Sequence, residues 1–279
     1  MNSMAKSESS SRIVTSVVAV ISAAALAVSL IAAGFAACAV PDVSTKALAS
    51  VYSTDGASPF TKDELVAAAV QTKHYTIDDN DKAAVYATIA AINAQEVLAG
   101  TAGKGAPKID ATANYAAGEL SGEQVAALET AFDAASERYV LTPDAVSHLD
   151  DVFGVVQAAK WWLLAAVVAA CVGCTATAFR GGKRLLGRVL AGAGVSVLAV
   201  FALLAAWVAI DFDGFFAQFH SLFFAAGTWT FSWDSLLICM YPPEFWVGMG
   251  AIWLVVTVAC CVVCITIGRL LRKGSTQKR

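Results

Sequence analysis

Four long apolar runs and one mixed stretch divide the chain. The runs cover 13–40, 155–178, 189–210 and 245–268. Each is long enough to cross a bilayer core, which takes about 20 residues of helix. The last three contain no Asp or Glu. The mixed stretch, 41–154, carries shorter apolar stripes at helical spacing. Thr61-Lys62-Asp63-Glu64 is a capping box ahead of one such stripe. Asp79-Asn80-Asp81 precedes a helix over 82–99, with Val85, Ile89 and Ile92 on one face. Three glycines and a proline within 100–107 predict a loop. Ser121-Gly122-Glu123-Gln124 is a second capping box, predicting a helix to about Val140 with Val125, Leu128, Ala131 and Phe132 on its apolar face. Thr142 then caps a helix with Pro143 in first position and Asp144 in the first turn. Nothing obliges that helix to stop before Ala178, though Gly154 offers a bend.

The pattern predicts an all-α membrane protein. Four transmembrane helices carry a mainly helical extracytoplasmic domain between the first two. An amphipathic or re-entrant segment over 211–244 joins the last two. Composition agrees: 58% of residues are hydrophobic. The net charge of −3 says little, but its distribution is lopsided. Eleven of the 19 basic residues fall in 1–12, 179–188 and 269–279. Seventeen of the 22 acidic residues fall in 42–151. The positive-inside rule therefore puts both termini and the 179–188 loop in the cytoplasm, and 41–154 and 211–244 outside. Phe35-Ala36-Ala37-Cys38 loosely matches a lipoprotein processing box. The apolar run before it is too long, and Phe35 is wrong for the −3 position, so the first span is expected to stay uncleaved. There is no basic domain or groove pattern for nucleic acid.

Candidate chemistry sits at the outer ends of the spans. Of three histidines, His74 in Lys73-His74-Tyr75 reads as a surface residue. His148 lies in the second turn of the helix that Thr142 starts. Asp144 at i−4 and Asp151 at i+3 share its face, so both carboxylates are expected within reach of the imidazole. A straight helix puts His148 about 10 Å above a span starting near Val155, with Lys160 snorkelling outward. His220 sits on a stripe with Phe216, Phe219, Phe223 and Phe224, read as an interfacial helix after Asp211 and Asp213. Trp229, Phe231, Trp233 and Tyr241 continue an aromatic belt. Ionisable groups at membrane depth point to function. Cys171 and Cys174, with Cys260, Cys261 and Cys264, lie near the inner ends of two spans. With no histidine or carboxylate beside them they read as helix-packing residues rather than a metal site.

At the two histidines the sequence resembles the bacterial lipoprotein intramolecular transacylases (Lit) and related four-span membrane proteins. One motif is His148-Leu149-Asp150-Asp151-Val152. The other is Phe219-His220-Ser221-Leu222-Phe223-Phe224, followed by Trp229, Leu237-Ile238 and Pro243-Glu244-Phe245. The likeness departs at Phe153, where a basic residue is common. It departs again at Phe231-Ser232-Trp233-Asp234, in place of an Asp-Pro element. The resemblance implies an enzyme of the bacterial plasma membrane. Such an enzyme moves the sn-2 acyl chain of a diacylglyceryl-cysteine to that cysteine's α-amine, giving a lyso-form lipoprotein. Its partners are the lipid-modified N-termini of bacterial lipoproteins and membrane lipids. It also implies that His148 and His220 are catalytic. Asp151 or Asp144 would orient an imidazole, and Phe216, Phe219, Phe223, Phe224, Trp229 and Tyr241 would line an acyl-chain groove.

The chemistry suits these groups without metal or cofactor. An α-amine and an imidazole have reference pKa values near 8 and 6.5, so a neutral imidazole can take the amine's proton. The amine and ester belong to one molecule, and such proximity can supply on the order of 7–11 kcal/mol of the barrier. Which histidine is acid and which base stays open at this level. The alternative is a non-catalytic four-span protein presenting an outer helical interaction module, with both histidines structural.

Overall fold

The computed structural model describes residues 2–115 and 120–274. Among them every regular element is helical: α1 (Asn2–Ala39), α2 (Asp42–Tyr52), α3 (Lys62–Ile77), α4 (Lys82–Ala99), α5 (Gly122–Asp133), α6 (Pro143–Ile210), α7 (Phe212–Ser221), α8 (Leu236–Met240) and α9 (Pro243–Gly274). Three helices are long and apolar enough to cross a membrane: Ser10–Ala39 within α1, α6 and α9. The 68-residue α6 is broken at Gly182, where φ 70 and ψ −178 interrupt the helical path. The break falls in the basic stretch expected to be a loop. Glycine alone adopts that backbone without strain.

The chain forms two compact units. The first comprises 1–38, 158–216 and 251–279. Its helices approach through small residues, the packing that association in lipid favours. A Cβ on Gly173 would meet Ser22 Oγ at 2.4 Å, and one on Gly34 would meet Thr257 Oγ1 at 2.1 Å. Gly187 and Gly268 face each other: a Cβ on either would sit 2.5 or 2.6 Å from the other's carbonyl oxygen. Buried Ser22 lies 3.3 Å from Thr177 Oγ1, and Trp253 Nε1 donates to the Ile31 carbonyl at 3.0 Å. Leu30, Val197, Phe201 and Cys261 form its small apolar centre. All seven cysteines are free, and among the described residues no three His, Cys, Asp or Glu side chains gather as a metal site.

The second unit comprises 39–157 and 217–250. Both expected capping boxes are present, Thr61 with Glu64 and Ser121 with Gln124. Asp81 caps α4, and Gly100 ends it in the left-handed region at φ 73. Val85, Ile89, Ile92, Leu128 and Phe132 are buried, as their spacing predicts. One expectation fails here. The helix from Ser121 stops at Asp133 rather than near Val140. Residues 134–139 turn instead, with Ser136 N–H donating to the Gly105 carbonyl and Tyr139 N–H to Ser136. That turn puts Tyr139 edge-on to Phe60, and Val140 and Leu141 into the core.

The core of this unit takes a segment from far down the chain. Leu236, Leu237, Cys239, Met240, Tyr241 and Phe245 pack among residues of 49–149. Backbone bonds seat it: Thr54 N–H to Cys239 O at 3.0 Å and Leu236 N–H to Glu137 O at 2.8 Å. Ser53 Oγ donates to Met240 O at 3.0 Å. Where the chain enters α2, Lys73 is buried. Its ammonium donates to Val40 O at 2.6 Å and pairs with Asp78 at 2.9 Å and Asp42 at 3.3 Å. His74 is not the free surface residue expected. It is half-buried, with Nε2 2.8 Å from Asp42 Oδ1. The hydrogen bond from His74, and then that from Lys73, hold the Asp42 carboxyl below the usual carboxylate range.

Candidate active site

His148 is delivered by the first turns of α6. Thr142 Oγ1 accepts from Ala145 N–H at 3.3 Å, and Ala145, Val146 and Leu149 anchor the helix face in the core. His148 lies on that buried face at 8% exposure. The next polar residue outward is tethered. Asp150 accepts the Tyr75 hydroxyl, and a hydrogen bond from Asn80 Nδ2 at 3.2 Å. Burial and that carboxylate push the Tyr75 phenol above its usual range.

The long-range loop brings the second imidazole alongside. The His148 and His220 ring centroids are 6.2 Å apart, with the planes 31° from parallel. Phe224 stands edge-on to His148 at 4.8 Å and lies 5.7 Å from His220. Phe231 is 5.8 Å from His148, and Trp229 is 4.8 Å from His220. Phe219 touches His220 at 5.7 Å and Phe223 at 5.2 Å. The loop's far end is fixed by Arg138 to Asp234 at 3.5 Å and by the seated 236–245 segment.

The surroundings of His148 differ from those its helix spacing suggests. Neither Asp144 nor Asp151 hydrogen-bonds to it, and its Nδ1 is buried without a hydrogen-bond partner among the described residues. Asp151 acts only through space. Burial first, and repulsion from His220 second, pull the His148 pKa down to about 4; the Asp151 charge opposes them weakly. His148 is therefore a neutral imidazole at neutral pH.

Of the six groove residues expected, Phe219, Phe223, Phe224 and Trp229 cluster around the histidines. Phe223 and Phe224 do so from a turn beyond α7, which ends at Ser221. Phe216 stacks with Phe212 at 5.7 Å in the first unit. Tyr241 is a core residue: its hydroxyl donates to the Ala69 carbonyl, and its ring packs on Phe245 at 4.9 Å. Burial raises its phenol pKa above the usual range. Phe231 and the Tyr75–Asp150–Asn80 tether are additions that motif reading did not assign to the site.

Two imidazoles stand together against Phe219, Phe224, Trp229 and Phe231, an apolar setting in which a buried imidazole stays neutral. Residues 110–246, close to half the chain and including both histidines, match the family model for the lipoprotein intramolecular transacylase Lit. This match carries the sequence resemblance, and with it the assignment of the chain as a membrane transferase. Solved structures of the membrane-integral Lit from Bacillus cereus share the fold. A variant with one histidine replaced by alanine matches at TM-score 0.64 and 14% identity, covering 99% of this chain and 100% of that one. A second structure of that protein matches at 0.57 and 15%, covering 95% and 98%. A histidine-to-arginine variant matches at 0.58 and 15%, covering 100% and 99%. No curated protein matches the chain significantly.

Proposed function

We propose that the chain transfers the sn-2 acyl group of a diacylglyceryl-cysteine to the α-amine of the same cysteine, and that His148 and His220 carry the proton transfers. The observation behind this reading is the imidazole pair, 6.2 Å apart, inside the segment that matches the family model. The amine attacks the ester carbonyl, the oxyanion forms and collapses, and the glyceryl alkoxide leaves. One proton must leave nitrogen and one must reach that oxygen. Burial and the neighbouring His220 disfavour protonation of His148, so His148 is the neutral member in this reading. In this reading His220 takes the amine's proton and returns it to the leaving oxygen. His148 stays neutral, and its N–H donates to the developing oxyanion. Phe219, Phe223, Phe224 and Phe231 keep water out and hold acyl chains.

The layout that serves this chemistry is four spans, 13–40, 155–178, 189–210 and 245–268, the middle pair separated at Gly182. Both termini lie in the cytoplasm of a bacterial cell and the histidines outside. The lipid-modified N-termini of lipoproteins reach the site from the outer leaflet. The test is mass spectrometry of a lipoprotein's N-terminal peptide, in a host without its own N-acylation enzyme. Expressing this chain converts diacylglyceryl-cysteine to its N-acyl, S-monoacylglyceryl isomer. His148→Ala and His220→Ala abolish the conversion while remaining in the membrane; full activity in either refutes the pair.

A further inference from the structure

The helix that carries His148 is held from behind. Asp150 stands two residues past His148 on α6, about 200° around the axis, so the two side chains leave nearly opposite faces. His148 is buried and Asp150 exposed. Both bonds to this carboxylate end on one oxygen: Asp150 Oδ1 accepts the Tyr75 hydroxyl, and it accepts Asn80 Nδ2 at 3.2 Å. Two turns further along the same face, Gln157 Nε2 donates to the Ile77 carbonyl at 3.5 Å. The end of α3 and the turn after it thus grip the first turns of α6 on the side away from the imidazole.

The anchor is itself fixed. Tyr75 is 2% exposed, on a helix whose Leu65, Ala68 and Ala69 are fully buried. Lys73 ties the same end of α3 to the Val40 carbonyl and to Asp78. Asn80 has φ 56, and among the described residues no other non-glycine has a positive φ. Asn tolerates the left-handed region better than most residues, but a side chain there marks a constrained turn. In that conformation its amide reaches Asp150 Oδ1 and also the Tyr75 carbonyl, at 3.4 Å. A turn that only joined α3 to α4 would need neither contact, and glycine would serve it with less strain.

We propose that Tyr75 and Asn80 are positioning residues for acyl transfer, acting through Asp150 to set the rotation of α6 and so the place of the His148 ring beside His220. That role rests on the transfer reaction proposed above. The leverage is geometric. A side-chain tip lies about 5–6 Å from a helix axis, so a rotation of about 20° moves it about 2 Å. The two imidazole centroids are 6.2 Å apart, and such a shift decides whether both rings serve one carbonyl. Misplacement by about 1 Å can cost about a hundredfold in rate.

The test separates the bonds from the charge. Asp150→Asn keeps Oδ1 and both bonds while losing the charge; Asp150→Ala loses all three. Transfer by the full chain is read by peptide mass spectrometry against lipoprotein concentration. Asp150→Ala is expected to lower the maximal rate about ten- to hundredfold at an unchanged half-saturating concentration, and Asp150→Asn to return most of it. Tyr75→Phe with Asn80→Gly removes both donors, lets the turn keep its φ, and should match Asp150→Ala. Tyr241→Phe, in the same unit, controls for lost stability alone. Nitrogen NMR of the labelled histidines reads the ring's place without turnover: the His148 signals should move in Asp150→Ala and return in Asp150→Asn. An Asn variant as slow as the Ala variant, or wild-type rates in Asp150→Ala and in the donor pair, overturns the proposal. If the wild type itself transfers no acyl chain, the transfer reading fails and the NMR comparison decides the tether by itself; unmoved His148 signals overturn it. If Asp150→Ala does not fold, the donor pair carries the same test.

Discussion

Protonating His148 destabilises the folded chain, and the cost is measurable. In the unfolded chain this imidazole titrates near 6.5; folded, it titrates at about 4. Between those values the unfolded state binds the proton and the folded state does not, so stability falls as pH falls. From pH 7 to pH 5 the loss is about 2 kcal/mol, and it approaches 3 kcal/mol at pH 4. At 8% exposure the ring has little water to screen that cost. His148→Gln keeps a neutral polar side chain and removes the titration. The wild type should therefore lose about 2 kcal/mol more than the variant between pH 7 and pH 5 in denaturant unfolding of the solubilised protein. The direct reading is nitrogen NMR of histidine-labelled protein, where three imidazoles give three pairs of ring-nitrogen signals and the variant identifies one pair. A His148 titration at 6.5 or above, or identical pH profiles for the two proteins, refutes the account of a dry, neutral imidazole.

Other outcomes follow from single contacts. Phe224→Ala removes the ring touching both imidazoles, admits water, and moves the His148 titration up toward 6.5 while activity falls. An unchanged titration would show that Phe224 does not seal the site. Tyr75→Phe takes one hydrogen bond from Asp150 and should cost about 1–2 kcal/mol in unfolding free energy, with Asn80 still in place. Gly268→Val puts side-chain atoms against Gly187 O and Ala191 N, both backbone, and should cost at least about 1–3 kcal/mol. Gly250→Ala meets nothing within 4 Å and serves as its matched control in thermal unfolding. Tyr241→Phe removes the hydroxyl's bond to the Ala69 carbonyl, which keeps its place in the α3 ladder, and lowers stability by about 0.5–1.5 kcal/mol, while transfer activity, read by peptide mass spectrometry, persists.

Local signals were readable because local forces fix them. Thr61, Ser121 and Thr142 each bond a backbone N–H three residues on, and the sequence names them directly. The apolar runs mark the long helices for the same reason. The histidine pair was legible as a motif, but its environment was not. Helix spacing offered Asp144 and Asp151 to His148, yet the face it occupies turns into the core, where Phe224 and Phe231 arrive from about 80 residues away. Tyr241 looked like one more ring of an interfacial belt. Its role depends on Ala69, 172 residues earlier, and no periodicity reports such a partner. His74 was misplaced likewise, because Asp42 reaches it from the start of α2, 32 residues earlier. The end of α5 at Asp133 is in part a tertiary override: the turn that follows is held by Gly105 as well as by its own Ser136.

The seated segment at 236–245 also sets a schedule for biogenesis. The unit built on 39–157 lacks Leu236, Met240 and Phe245 until the ribosome has added about 80–90 residues more. At about 5–20 residues per second, that is an interval of roughly 4–18 s with an open apolar seam. Translation therefore delivers the histidine partner loop and the plug for that seam together. A nascent chain stalled before residue 236 carries both histidines of the pair on a core still missing its last apolar segment, a natural target for quality control.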